Sequence, residues 1–328
     1  MSQPIRTRVW RNGVLEKENF PFEEVSGYLK QPDCLVWADL LDPDHDAVCL
    51  LADELDLDQH AVEDALAHHE RPKATRYATH VFLTTYAIGH DKQAGELTVG
   101  RVSAFSTHQA FVTVRLDDSL DLDAVVARWD ANDDLIKYGP RALVHGLLDE
   151  IVDGYFETVE SLDDEIESIE DILFDETAAT SNEVSRRTFK LRRSVVQARR
   201  AILPMREVVN TIMRRAIDDD HSGELAPYFE DLYDHVLRAA EWTESLRDMV
   251  TSIFETNMSL ADTRMNLIMK KLTSWAAIIA VPTAVTGYFG QNVPYPGFAK
   301  PWGFWLSIVV ILGIAGMLYL VFRRKGWL

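Results

Sequence analysis

Residues 302–322, WGFWLSIVVILGIAGMLYLVF, run for 21 positions without a charged side chain. An α-helix rises about 1.5 Å per residue, so about 20 such positions cross the hydrocarbon core of a bilayer. A chain carrying this segment has to place it in lipid as a helix, because lipid offers the backbone no hydrogen-bond partner. The preceding run, LTSWAAIIAVPTAVTGYF at 272–289, has 18 residues and includes Ser274, Pro282 and several threonines. Alone it could be a buried core helix; beside a clear span it reads as a second crossing helix whose polar face lines a pore. Two helices cannot enclose an ion path, so a conduit needs several copies, each giving one helix to the axis. The bland alternative is a simple anchor for a soluble domain.

Charge gives the orientation. Lys270-Lys271 precede the first span and Arg323-Arg324-Lys325 follow the second, with only Lys300 between them. The positive-inside bias therefore puts both termini in the cytoplasm, residues 290–301 outside, and the chain in the cytoplasmic (inner) membrane as a multi-pass protein. The net charge is −19, yet residues 272–328 contain no Asp or Glu, so the front of the chain holds all 52 acids. Such an acidic front disfavours nucleic acid and suits cations. Cys34 and Cys49 are the only cysteines and form no CxxC pair, which argues against a disulfide framework or a thiolate zinc site. The opening MSQPIRTRVWRNG lacks an apolar run, so no secretory signal is expected. No GxGxxG, GxxxxGK[ST] or HExxH occurs and no nucleophile–base spacing is recognisable. Neither a nucleotide partner nor an enzymatic activity is expected.

Residues 1–140 read as a mixed α/β domain. HVFLTTYAI (80–88), LTVGRVSAFS (97–106) and AFVTVRL (110–116) have strand character, and HDKQAGE (90–96) is turn-like. The stretch 43–70 reads as helical, ended by Arg71-Pro72. Residues 141–226 read as a helical hairpin. Its first arm is very acidic over 157–176 and carries Val159, Leu162, Ile166, Ile169 and Leu173 at 3/4 spacing. Its second arm, 186–206, is rich in Arg, so pairing of acidic and basic faces is favoured over a metal-collecting surface. A stalk helix over 227–271 starts near Pro227, and residues 228–281 contain neither Gly nor Pro. Leu232, Ala239, Leu246, Ile253, Leu260 and Leu267 recur every seven positions as a packing seam, and the helix should continue into the first span. The order is then stalk 227–271, first transmembrane helix 272–289, outer loop 290–301, second transmembrane helix 302–322 and cytoplasmic tail 323–328.

The segments PYFEDLYDHVLRAAEWTESLRDMVTSIFE (227–255), VEDALAHHERPK (62–73) and IVDGYFETVESLDDEIE (151–167), with the terminal hairpin and the ending RRKGWL, resemble the CorA family of divalent-metal transport channels. The family's Gly-Met-Asn signature corresponds to Gly290, Gln291 and Asn292, with Gln in the middle place. The resemblance implies a funnel-shaped homopentamer: an α+β cytosolic domain, a long stalk helix and two C-terminal transmembrane helices per chain. It implies transport of Mg²⁺, with Co²⁺ or Ni²⁺ also accepted, driven inward by membrane potential. Counting back from Asn292 without gaps, the family's pore-lining positions fall on Asn266, Met269, Leu272, Ala280 and Thr283, where Ala280 departs from a family Met. Asp91 and Asp231 correspond to carboxylates that share a regulatory Mg²⁺ between neighbouring subunits.

Physical chemistry is consistent with those roles. Mg²⁺ sheds water reluctantly, so carbonyl and carboxamide oxygens that hold the hydrated ion suit it. Rings of Met269 and Leu272 would form an apolar constriction that closes by dewetting. Two features leave the metal open: Gln291 in the signature, and an outer loop with Lys300 and no acid. The alternatives are a zinc or other transition-metal transporter of the same fold, with or without proton coupling, to which His68, His69, His80 or His90 could contribute, and a non-conducting membrane-anchored metal sensor.

Overall fold

The computed structural model describes residues 5–67, 70–174, 181–214 and 222–328. It divides into two compact units, Met1–Ile253 and Phe254–Leu328.

The first unit is built on a seven-stranded mixed sheet in the order β2-β1-β3-β7-β6-β5-β4. The strands are β1 (Ile5–Arg11), β2 (Val14–Glu18), β3 (Cys34–Leu41), β4 (Lys73–Arg76), β5 (Val81–Asp91), β6 (Glu96–Ser106) and β7 (Ala110–Arg115), with the short helix α1 (Val25–Leu29) between β2 and β3. Only β3 and β7 run parallel, pairing Val36 with Ala110 through Leu41 with Arg115. Alternation along the strands sorts the two faces. Ala38, Leu40, Val112 and Val114 point into a core with Phe82 and Phe105, packed against Val48 and Leu51 of α2 (His45–Leu55) and Ala61 and Val62 of α3 (Gln59–Leu66). On the other face Trp37 and Phe111 meet Trp129 of α4 (Leu122–Ala131) edge-on, with centroids at 4.9 and 6.3 Å. Helices thus cover both faces, and the central strands are buried on both sides. The expected strands at 80–88, 97–106 and 110–116 are β5, β6 and β7. The helical stretch read over 43–70 is two helices, because Asp56 adopts a left-handed conformation (φ 51°) after α2. Asp44 and Asp58 cap the two starts by accepting from the backbone N–H of Ala47 and His60. His68 and His69 lie outside the described residues.

A buried charge network sits on the tryptophan face. Trp37 Nε1 donates to Thr113 Oγ1 (3.2 Å), Thr113 Oγ1 donates to Asp39 (2.6 Å), and Arg115 pairs with Asp39 at 2.8 Å with 4% and 1% side-chain exposure.

The helical hairpin forms as α5 (Pro140–Phe174) and α6 (Ser181–Ile202), followed by α7 (Met205–Arg214). Pro140 opens α5 at the first position, where its missing N–H costs nothing. The row Val159, Leu162, Ile166, Ile169 and Leu173 is buried as the spacing requires; the last two residues of the acidic stretch, Asp175 and Glu176, lie outside the described residues. The expected pairing of acidic and basic faces is largely absent: among the described residues Arg187–Glu165 (2.9 Å) is the ion pair joining α5 to α6.

Helix α8 (Ser222–Phe289) is 68 residues long and begins five residues before Pro227. That proline falls in the second turn and removes one backbone bond near the helix end, where few bonds depend on it. In the first unit the heptad seam is buried at Leu232, Ala239, Leu246 and Ile253, with its companions Val236, Thr243 and Val250. Beyond Ile253 the seam is no longer fully buried: Leu260 is half-buried and Leu267 is 47% exposed. The second unit consists of the remainder of α8, a loop and α9 (Pro301–Arg324). Both helices are long and apolar enough to cross a membrane. Pro282 does not interrupt α8, and the hydroxyl of Thr286 donates back to the Pro282 carbonyl at 2.8 Å.

Burial depresses the pKa of His80, His90 and His145 in the first unit. A histidine depressed in the folded state binds its proton more readily when unfolded. Its stability contribution is complete above the ordinary value of about 6.5 and is lost as pH falls toward the folded value. Unfolding midpoints of the full chain, followed by tryptophan fluorescence, are expected to fall from about pH 7.5 to about pH 5.5, and His80→Gln should flatten that slope. A midpoint that rises on acidification would contradict this.

Candidate functional site

Helix α8 sets the site in the second unit. Asn266, Met269, Leu272, Ala280 and Thr283 are all exposed on it. At about 100° per residue they fall within an arc of about 120°, so one continuous helix face carries all five positions. Met269 and Leu272 are 51% and 63% exposed, which is costly in water and leaves both free to meet other copies or lipid.

The helix ends at Phe289, and Gly290, Gln291 and Asn292 follow at once, all exposed. Gly290 N–H donates to the Thr286 carbonyl at 2.8 Å, and Gln291 N–H to that of Tyr288 at 3.4 Å. A Cβ at Gly290 would stand 2.9 Å from the Thr286 oxygen, so the glycine is needed where the chain turns closely against its own last helical turn. Asn292 follows this turn and is exposed.

Sequence reasoning missed the scaffold beneath the tripeptide. Tyr295 donates its hydroxyl to the Phe289 carbonyl at 2.9 Å, closing the loop onto the end of α8. Its ring meets those of Phe289 and Phe298 edge-on at 5.0 and 5.3 Å. The signal was available as the density of aromatics over 288–298. Gly297 (φ 93°) turns the chain toward α9, and Pro301 begins that helix. Gly303 packs against the Gly297 backbone: a Cβ there would collide with the Gly297 carbonyl oxygen and stand 3.0 Å from its carbon. Gly303→Ala is expected to push the loop outward and speed proteolytic cleavage within it without loss of expression or helicity. Cleavage at the wild-type rate would show that the loop's seating is dispensable.

In the first unit Asp91 ends β5 and is exposed. Its carboxylate accepts from the backbone N–H groups of Gln93 (2.8 Å) and Ala94 (3.0 Å), and these bonds hold its pKa below the ordinary carboxylate range. Asp231, on α8, is 73% exposed and lies 4.0 Å from His235 Nε2. It borders a cavity of about 140 Å³ with Arg128, His145, Asp149 and Tyr228, whereas the turn following Asp91 borders a separate cavity of about 330 Å³. The two aspartates therefore do not share a cavity within one chain. Among the described residues no three His, Cys, Asp or Glu side chains converge as a metal cage. His80 is buried and stacked on Tyr77, and His90 Nδ1 lies 2.8 Å from Ser161 Oγ, so both are engaged in the fold.

Residues 33–324 match the model of the CorA-like Mg²⁺ transporter proteins. The chain is 30% identical over 316 residues to the putative metal ion transporter YfjQ of Bacillus subtilis, covering 94% of each. It is 31% identical over 269 residues to the cobalt/magnesium transport protein CorA of Thermotoga maritima, covering 81% of this chain and 76% of that one. In fold it resembles the complete CorA magnesium transporter of Methanocaldococcus jannaschii, with a TM-score of 0.77, 23% identity and both chains covered in full. A match over most of its length, reinforced by a relative at this identity and coverage, establishes that the chain belongs to the CorA-like Mg²⁺ transporter family.

Proposed function

We propose that this protein conducts divalent metal cations, Mg²⁺ foremost, across the cytoplasmic membrane as a homopentamer with both termini in the cytoplasm. The observation that carries the reading is the one face of α8 shared by Asn266, Met269, Leu272, Ala280 and Thr283, on a helix that ends directly at Gly290-Gln291-Asn292. Five such faces around an axis give a pore with amides at the outer mouth, hydroxyls within and an apolar constriction toward the cytoplasm. The names of the relatives as cobalt/magnesium transporters support Mg²⁺ with Co²⁺ as a second substrate. Ni²⁺ is a further candidate.

The chemistry follows from ion hydration. A ring of Asn292 carboxamides accepts hydrogen bonds from the water that Mg²⁺ retains, so the ion enters without being stripped. Membrane potential supplies the drive: a divalent ion gains about 4.6 kcal/mol over 100 mV. No nucleotide is needed.

Regulation rests on Asp91 and Asp231. Both are exposed, Asp91 is held ionised by its backbone donors, and among the described residues neither has a metal cage within its own chain. A Mg²⁺ shared across a subunit boundary converts their repulsion into a clamp that holds the pore closed, and falling cytosolic Mg²⁺ releases it. The Asp91→Ala/Asp231→Ala variant is expected to lose the protection against proteolysis that Mg²⁺ gives the wild type. Protection equal to the wild type would remove these residues from the account.

A second reading is favoured by one observation. Gln291 stands in the signature and the outer loop carries Lys300 without any acid, so the mouth lacks a charge that concentrates Mg²⁺. A zinc transporter coupled to protons on the same scaffold fits that mouth. Radiotracer uptake by proteoliposomes separates conduction of either metal from a non-conducting sensor, which would show no flux.

A further inference from the structure

Helices α5 and α6 carry two exposed rows of opposite charge. On α5, Glu157, Glu160, Asp164, Glu167 and Asp171 are all exposed at steps of three and four. On α6, Arg186, Phe189, Arg193, Val196 and Arg200 follow the same steps, again exposed. Each row lies about 200° from its helix's buried row, so both face away from the packing that holds the hairpin together. Both rows have the same axial length, about 21 Å at 1.5 Å per residue.

The rows are not satisfied within the chain. Asp164 meets Lys92 at 2.9 Å, and Arg186 reaches Glu183 only at 3.9 Å. Among the described residues Glu157, Glu160, Glu167, Asp171, Arg193 and Arg200 have no ion-pair partner. Phe189, in the middle of the basic row, is 72% exposed. An aromatic held in water beside unpaired arginines marks a surface that something acidic covers.

We infer that the acidic row on α5 of one copy of this chain docks on the basic row on α6 of the next. Charge selects this occupant. Two acidic rows or two basic rows repel each other, whereas unlike rows of equal length and spacing attract along their whole extent. The net charge of −19 opposes approach of an anionic membrane or nucleic acid to the same surface. Pairing unlike rows is a head-to-tail contact, which closes into a ring when the rotation between copies allows. Phe189 and Val196 then pack on the aliphatic stems of the glutamates. The inference rests on the homo-oligomeric reading above and adds to it the surface that joins neighbours.

The test uses the full-length chain in detergent, with the part-exposed Cys49 changed to Ser and the buried Cys34 retained. Asp164→Cys and Arg193→Cys are placed on separately tagged, co-expressed chains. These are the midpoints of the two rows and meet whether the helices pair parallel or antiparallel. A disulfide between the two tags is expected under mild oxidation, and neither variant alone should give it. Arg193→Glu/Arg200→Glu should raise the concentration at which the oligomer dissociates or lower its yield by about tenfold, and adding Glu160→Lys/Glu167→Lys should restore it. An intact oligomer without the disulfide and indifferent to charge reversal overturns the inference and leaves the conduction reading standing. A monomer overturns both. Unchanged assembly combined with lost binding to phosphatidylserine vesicles in Arg193→Glu/Arg200→Glu assigns the basic row to lipid and also overturns it.

Discussion

Asn292→Ala is expected to reduce metal uptake by proteoliposomes to the level of empty vesicles while leaving assembly and helicity unchanged. Asn292 is exposed and follows the end of α8 by three residues. Truncating an exposed side chain costs little stability, and on the proposed reading it deletes one of the two carboxamides, with that of Gln291, that each subunit brings to the mouth. Gln291→Met, which restores the family signature, is expected to retain flux. Wild-type uptake by Asn292→Ala would remove the amide ring from the mechanism, and a misassembled protein would mean that Asn292 has a structural role instead.

The largest stability effect is expected at Asp39. Its carboxylate accepts from Arg115 and Thr113 in a network that also reaches Trp37, all in the sheet's interior. Asp39→Ala leaves the Arg115 guanidinium buried with only the exposed Asp118 to pair with. Removing one partner of a buried ion pair costs about 3–5 kcal/mol, a large share of the roughly 5–15 kcal/mol that holds a typical domain together. Denaturant unfolding followed by the fluorescence of Trp37 and Trp129 is expected to show that loss. A change below about 1 kcal/mol would mean that water or Asp118 takes over the charge.

The membrane half was legible because spans are written in composition alone: residues 302–322 need only length and the absence of charge. The buried row from Val159 to Leu173 was legible because one face of α5 is core and the other is water. Strands β1 and β3 were not. Cys34–Leu41 is buried on both faces and shows no alternation, and Ile5–Arg11 carries Thr7 and Arg8 inward. Arg8 is tolerated there because it pairs with Asp130 at 2.7 Å and Glu18 at 3.0 Å, the first of these 122 positions away. Partners that distant are invisible to any local pattern, as is the Asp39–Arg115 pair. The five positions that the resemblance assigns to a pore needed only helical arithmetic to fall on one face, whereas the tie from Tyr295 to the Phe289 carbonyl needed the loop's path. The hairpin's charges misled for a related reason: an acidic arm followed by a basic arm shows complementary charge, not that the two faces pair within one chain.

The most direct test is ion uptake by proteoliposomes of purified protein, with Mg²⁺ and Zn²⁺ compared under an imposed membrane potential and, separately, under a pH gradient. Conduction of hydrated Mg²⁺ through an amide-mouthed pore predicts Mg²⁺ entry that follows the potential, persists without a pH gradient and disappears in Asn292→Ala. Zinc entry that follows the pH gradient, with negligible Mg²⁺ flux at any potential, would contradict it.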